Sequence, residues 1–285
     1  MRWIIVAYAA AIAVAFGVAA IAEGFGSLWA AALADVAATL VIFAFSVGFR
    51  NASFYDAYWS VAPPVLLAFW WWLHGGQDLR MLLMGIVVVA WAVRLTRNWA
   101  RGWTGLGHED WRYIDLRAQN GRWYWAVNLF GIHLLPTALV FAGCVPMWIA
   151  ARSDAAPGWL DWAAFAVGIG AVYLEWLADE QLYQFRRAQP PQERLLDTGV
   201  WAWLRHPNYL GEIGFWLALA LFGLAAGAGA PWANWPAWLG FVLMLGLFAG
   251  ITIPMIERRM LARRPGYADY QRRVRALIPT PPVTA

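Results

Sequence analysis

Arginine, histidine, asparagine, tyrosine and glutamate crowd together in Arg205-His206-Pro207-Asn208-Tyr209-Leu210-Gly211-Glu212, at the mouth of an apolar stretch. Polar groups at the edge of hydrocarbon are costly to keep, so such a cluster marks a site. Pro207 suits the first turn of a helix with His206 near its cap, and the free N–H groups of that turn favour an anion. Guanidinium groups fit phosphate in a forked, two-point manner, and Arg186, Arg187 and Arg194 precede Arg205 in the chain. A basic patch meeting lipid headgroups is the plainer reading; Asn208, Tyr209 and Glu212, about one turn apart, favour a ligand site.

Three further blocks could share that chemistry. Glu175, Asp179, Tyr183 and Arg186 fall at i, i+4, i+8 and i+11, one face of a helix. A solvated helix end laced with ion pairs would look similar, but Glu175 lies inside an apolar stretch and argues for a site. The tail, from Glu257-Arg258-Arg259 through Tyr267 and Tyr270 to Pro279, fits an amphipathic surface helix. It fits a flap closing over a phosphate equally well. In Asn51-Ala52-Ser53-Phe54-Tyr55-Asp56-Ala57-Tyr58-Trp59, Asp56 stands between Tyr55 and Tyr58. One carboxyl flanked by phenols can work as an acid dyad, and an ordinary loop ahead of Pro63-Pro64 accounts for the run as well. His108-Glu109-Asp110 has no second histidine at ligand spacing, so no metal is expected. Gly168-Ile169-Gly170 has no strand before it, and His133 and Asp35 read as buried polar residues.

The elements that must position these residues are membrane helices. The chain is 62% hydrophobic and 13% charged, against about 25% charged in a soluble domain. About eight apolar stretches approach the ~20 residues that cross a bilayer: 3–22, 28–48, 58–73, 81–99, 124–150, 160–178, 209–228 and 235–255. Seven remain if the short third one does not cross. The expectation is an all-α polytopic bundle, a single integral membrane domain over 1–285. Residues 1–50 supply extra N-terminal spans, and residues 51–285 carry the chemistry. Residues 1–22 read as a retained helix rather than a cleaved leader. Pro136 and Pro146 could kink the fifth stretch.

All 21 basic residues are arginine, which excludes a Schiff-base lysine and a Walker lysine. Most of them lie between the fourth and fifth stretches, between the sixth and seventh, and after the eighth. With eight crossings these segments share one side, which the positive-inside rule places in the cytoplasm with both termini. The net charge of +4 therefore reflects topology and gives no reason to expect nucleic acid as a partner. Membrane lipids and a lipophilic small molecule are the expected partners. Trp70, Trp71, Trp72, Trp123, Trp125, Trp201, Trp203 and Trp235 fall at stretch ends as an interfacial belt would. Cys144 is the single cysteine, so no internal disulfide forms. A transporter would carry polar groups mid-span, whereas here they gather at one end.

At these residues the chain resembles the membrane steroid 5-alpha-reductase superfamily, in particular its bacterial branch, the DUF1295 proteins. The resemblance covers residues 50–280 and is strongest from Glu175 onward. Asn208, Leu210, Gly211 and Glu212 match the signature Asn-x-Leu-Gly-Glu. Asp179 and Arg186 match an aspartate and an arginine that hold NADPH in that family, and Ala276-Leu277-Ile278-Pro279 matches its ending. The blocks Arg205-His206-Pro207-x-Tyr209-x-Gly211 and Glu257…Tyr267…Tyr270 are shared with the isoprenylcysteine carboxyl methyltransferases, which use S-adenosylmethionine. They mark the superfamily rather than the reaction.

The resemblance implies a bacterial inner-membrane reductase that passes hydride from NADPH to a double bond conjugated to a ketone in a steroid-like substrate. It implies cofactor contacts from Asp179, Tyr183, Arg186, Arg187, Arg194, Arg205, His206, Asn208, Tyr209, Glu212, Glu257, Tyr267 and Tyr270. Where the reductases carry a glutamate against the substrate carbonyl, this chain has Asp56. Where they carry a proton-donating tyrosine it has Arg94, which leaves Tyr55, Tyr58 or Tyr113 as the phenol. Methyl transfer to an isoprenoid or lipid acceptor is the alternative activity.

Overall fold

Hydrocarbon offers backbone amides no partner, so an apolar run that enters it must bond to itself as helix. The computed structural model describes residues 1–191, 193–227, 235–279 and 281. Its helices are α1 (Arg2–Ile21), α2 (Ser27–Phe49), α3 (Tyr58–His74), α4 (Asp78–Gly102), α5 (Trp111–Asn120), α6 (Tyr124–Asn128), α7 (Leu135–Ala151), α8 (Trp159–Arg187), α9 (Pro207–Ala226), α10 (Trp235–Leu247), α11 (Ile253–Arg263) and α12 (Tyr267–Arg273). The expected end of the seventh stretch, residue 228, lies outside the described residues.

Seven helical runs among the described residues are long and apolar enough to cross a bilayer, making this a polytopic helical membrane protein. The short helix α3 joins them: it starts beside the 50–57 turn and its last residue, His74, meets Ser27 at the opposite end, Nε2 to Oγ 2.8 Å. Eight helices or helical runs thus pass between two ends. One end gathers the 22–26, 75–77 and 152–158 turns, tied by Trp148 Nε1 to Ser27 Oγ (3.0 Å) and Ser153 Oγ to the Ala226 carbonyl (2.6 Å). The other end gathers the arginine-rich segments, tied by Asn51 Nδ2 to the carbonyls of Leu106 and His108 (2.9 and 2.8 Å) and Arg259 to Asp115 (3.3 Å).

Two of the runs that exceed their expected bounds also widen inside. The fifth begins at Trp111 and continues to Ala151, because the amphipathic α5 joins it; the last extends to Arg263. Each contains a π-turn, Leu129–Leu134 and Phe248–Thr252, two residues ahead of Pro136 and Pro254. A proline has no N–H and its ring crowds the carbonyl four residues back. Widening the turn before it absorbs both conflicts without breaking the run.

The most extensive helix pair is α8 with α9. A Cβ on Gly211 would lie 2.3 Å from Glu175 Cγ and 2.8 Å from the Ala171 carbonyl oxygen, so only glycine lets the two backbones approach this closely. In the core α4 packs on α9 through Trp91 and Phe215, stacked at 4.3 Å. Near the arginine-poor end Arg80 and Asp161, both buried, form a two-point pair at 2.6 and 3.2 Å. Arg80 also donates to the carbonyls of Ala155 (2.9 Å), Ala156 (3.4 Å) and Ala225 (3.3 Å), while Asp161 accepts from the Gly158 N–H at 2.7 Å.

Removing one partner of such a pair strands a charge. Arg80→Met is expected to cost about 3–5 kcal/mol, and Arg80→Met combined with Asp161→Asn to recover more than half of it. Thermal melting of detergent-purified protein checks both.

Candidate functional site

On α4, Trp91, Arg94 and Asn98 recur at i, i+3 and i+7, so they face one neighbour groove. On α8, Glu175 and Asp179 face back from i and i+4; on α9, Asn208, Glu212 and Trp216 do so from i, i+4 and i+8. Arg94 lies at the centre. Its Nη1 reaches Asp179 Oδ2 at 2.6 Å, and its Nη2 lies 3.0 Å from Glu175 Oε1 and 3.6 Å from Glu212 Oε2. Asn98 donates to Asp179 at 3.1 Å. The indole N–H groups of Trp91 and Trp216 each donate to Glu212 at 3.0 Å. Glu175 is 1% and Glu212 4% exposed, so water does not stabilise them. One guanidinium faces three carboxyl groups, and the surplus negative charge requires a proton or a cationic partner. Arg94 Nε, Glu175 Oε2 and Asn208 Oδ1 are buried without a hydrogen-bond partner. Unsatisfied polar atoms at this depth are what a ligand would complete.

Towards the arginine-rich end this cluster opens onto Arg186, which is exposed and within electrostatic range of Asp179, Tyr209 and Arg264. Tyr209 in turn senses Arg112, Asp179, Arg186 and Glu212. Tyr183 is covered by the guanidinium of Arg101, 3.7 Å from the ring centre, with Arg187 at 5.7 Å. Arg194 is exposed in the segment between α8 and α9.

Arg205, His206, Glu257, Tyr267 and Tyr270 form a separate clasp. Glu257 accepts from Arg205 (2.7 Å), His206 (3.0 Å) and Gln271 (2.8 Å). Arg205 also donates to the carbonyls of Gln271 (3.1 Å) and Val274, and the backbone N–H groups of Arg205 and His206 donate to Arg275 and Ala276. Tyr270 donates its hydroxyl to the Trp201 carbonyl at 2.6 Å and packs with Tyr267 and Val274. These contacts sew the tail to the start of α9. The donors expected to meet a phosphate here are engaged with protein.

The segment around Asp56 pairs differently from its order in sequence. Tyr55 bonds Thr137 at 2.8 Å, and Tyr58 donates to Asp35 at 3.3 Å, so neither hydroxyl meets Asp56. The phenol on Asp56 belongs to Tyr113, at 2.5 Å. Asp110 caps α5 by accepting from the Arg112 N–H at 2.9 Å and grips the Arg112 side chain at 2.8 and 3.2 Å, which fixes the helix start that delivers Tyr113. Burial pushes the Asp56 carboxyl up to about 6, while the Tyr113 hydrogen bond and the Arg112 charge pull it down. Arg112 lies within electrostatic range of both Asp56 and Tyr209.

Sequence reasoning placed Arg94 only as a departure at a tyrosine position and did not find Trp91, Asn98, Trp216 or Arg112. A charge inside the fourth apolar stretch, three residues after a tryptophan, was the available signal.

A family model described as "Protein of unknown function (DUF1295)" matches residues 42–274. Uncharacterized protein C594.04c of Schizosaccharomyces pombe is 30% identical over 266 residues, 84% of this chain and 76% of its own length. Lamin-B receptor of Drosophila melanogaster is 36% identical over 88 residues, 30% of this chain and 11% of the receptor. No solved structure matches.

The Asp56 geometry has a sign that can be checked. Its folded value, about 6, lies above the usual ~3.9 of an unfolded aspartate. Its contribution to stability is therefore full below ~4 and lost as pH rises through about 6. Tyr113→Phe removes a bond to the ionised form, so the carboxyl C=O infrared band should persist to higher pH than in wild type.

Proposed function

We propose, for a chain that belongs to the DUF1295 family, a membrane-embedded reductase of the steroid 5-alpha-reductase kind. It uses NADPH to saturate a carbon–carbon double bond conjugated to a ketone in a lipophilic, steroid-like molecule. The observation that carries this reading is the Tyr113–Asp56 acid–phenol dyad, 2.5 Å across, at the same end as a buried polar cluster with open hydrogen-bonding atoms. An acid–phenol dyad together with a polar site for a cofactor is what enone reduction needs, since one end of the enone must receive hydride and charge grows on its ketone oxygen.

The residues fit NADPH on their chemistry. Asn208 Oδ1 is a buried acceptor without a donor, suited to a carboxamide N–H. Arg186, exposed beside Asp179, suits a phosphate, and Arg187 and Arg194 add positive charge at the same end. Bound NADPH supplies the hydride. Glu212, fixed by two indole N–H groups, and Asp179, fixed by Arg94 and Asn98, hold the walls of the site in place. Tyr113 donates to the ketone oxygen when Asp56 is neutral, because the carboxyl O–H then turns to the phenol oxygen and releases the phenol proton for the substrate. The apolar helices take up the hydrophobic body. The positive-inside rule puts this end in the cytoplasm, where NADPH is made, and a bacterial inner membrane fits the resemblance.

Turnover is expected to fall as pH rises through about 6, the value at which Asp56 loses its proton. Tyr113→Phe should lower kcat by about 10²–10³-fold, the loss of one preorganised donor, with NADPH affinity unchanged. Arg186→Ala should do the reverse, weakening NADPH binding by about tenfold for one charge-assisted contact. NADPH absorbance decay with a lipophilic enone reads all three. Protein that consumes S-adenosylmethionine and leaves NADPH untouched would replace reduction with methyl transfer.

A further inference from the structure

The first half of α1 is fastened to the bundle. Ile4, Ala7 and Ala11 are buried against Ile42 of α2 and against Phe54, Tyr55 and Tyr58. Beyond Ala11 the contact opens into a cleft between α1, α2 and α3, of about 540 Å³ with its open side included. Its walls are apolar, among them Ile12, Phe16, Ala34, Ala62 and Phe69, with the single carboxyl of Asp35 among them. Asp35 is only 6% exposed. Its Oδ1 accepts from Tyr58 at 3.3 Å, and its Oδ2 is buried with no hydrogen-bond partner. Thr39, the next polar side chain along α2, is engaged with Thr137 at 2.9 Å.

A carboxyl oxygen without a partner in hydrocarbon is costly. Asp35 is among the residues that line the cleft, which its apolar walls leave open. A second membrane-facing cleft, between α3 and α4, makes the contrast. It spans about 1020 Å³ with its open side included and is lined by residues such as Leu67, Leu82, Ile86 and Val89 with no ionisable group, so it can take acyl chains without selecting among them.

We propose that the α1–α2–α3 cleft binds an uncharged lipid alcohol, its hydroxyl on Asp35 and its hydrocarbon body between α1 and α3. A hydroxyl both donates and accepts. It therefore satisfies Oδ2 whether the carboxyl is ionised or neutral, which an ether, ester or ketone head cannot do. The site is separate from the Asp56–Tyr113 dyad: Tyr58 turns its hydroxyl to Asp35, and the cleft runs along residues 12–19 of α1 and 31–38 of α2, the half nearer the arginine-poor end. It does not depend on the reductase reading.

The test uses the full-length protein in phospholipid bicelles with two photoreactive probes, a long-chain primary alcohol carrying a mid-chain diazirine and the methyl ether of the same compound. The alcohol should label peptides from α1 and α3 about five- to tenfold more than the ether, the worth of one buried hydrogen bond. Asp35→Leu should bring the alcohol down to the level of the ether. Ala62→Phe, which fills the cleft and leaves Asp35 in place, should abolish labelling by both. Equal labelling of the wild-type protein by alcohol and ether overturns the proposal, and so does undiminished alcohol labelling of the Ala62→Phe protein.

Discussion

A single guanidinium, Arg94 of α4, holds the acidic faces of α8 and α9 within hydrocarbon. Carboxyl groups from two helices share a dry interface only with a proton or a cation beside them, and here the cation comes from a third helix. That requirement fixes how α4, α8 and α9 meet. Gly211 then lets α8 and α9 close until Glu175 lies against the α9 backbone. The pair of indole N–H groups on Glu212 holds the third acid. From this arrangement follow the places of Asn208 and Tyr209 one turn nearer the membrane edge, and of Arg186 beyond Asp179. Because α4 leads directly into the loop that ends at the Asp110 cap, it also sets where α5 begins and where Tyr113 meets Asp56.

The molecule has a second buried arginine, and the two differ in a way that separates support from function. Arg80 has one carboxylate of matching charge and three backbone carbonyls, and Asp161 is also held by the cap of α8. That pair is closed. Arg94 faces more acid than it can neutralise and keeps a buried N–H without an acceptor. A closed pair staples one end of the bundle; an open one at the other end leaves hydrogen-bonding capacity for something that binds.

Much of this was legible in the residues. Hydropathy marks the helices because hydrocarbon enforces them, and the distribution of arginine groups the loops at one end as the structure does. The i, i+4 spacing of Glu175 and Asp179 puts them on one face without any tertiary knowledge. Their partner was not legible, since nothing local links Arg94 to residues on α8 and α9. Arg205 and His206 illustrate the same limit: nothing near them in sequence shows that Glu257, more than two helices further on, is a partner of both. Tyr55 and Tyr58 adjoin Asp56 in sequence, but neighbouring positions at a helix start point in different directions, and the phenol that arrives comes from α5. The π-turns before Pro136 and Pro254 also escape a pattern that counts hydrophobic residues, because widening a turn leaves the apolar run intact.

The proposed function requires the Arg94 cluster to hold one nucleotide at the arginine-rich end. A cryo-EM map of the protein in lipid nanodiscs at saturating NADPH addresses this most directly. The account predicts nicotinamide density against Asn208 and Glu212, with phosphate density at Arg186. Density for the nucleotide elsewhere on the protein, or an Arg94 cluster with no nucleotide beside it at saturation, would contradict it.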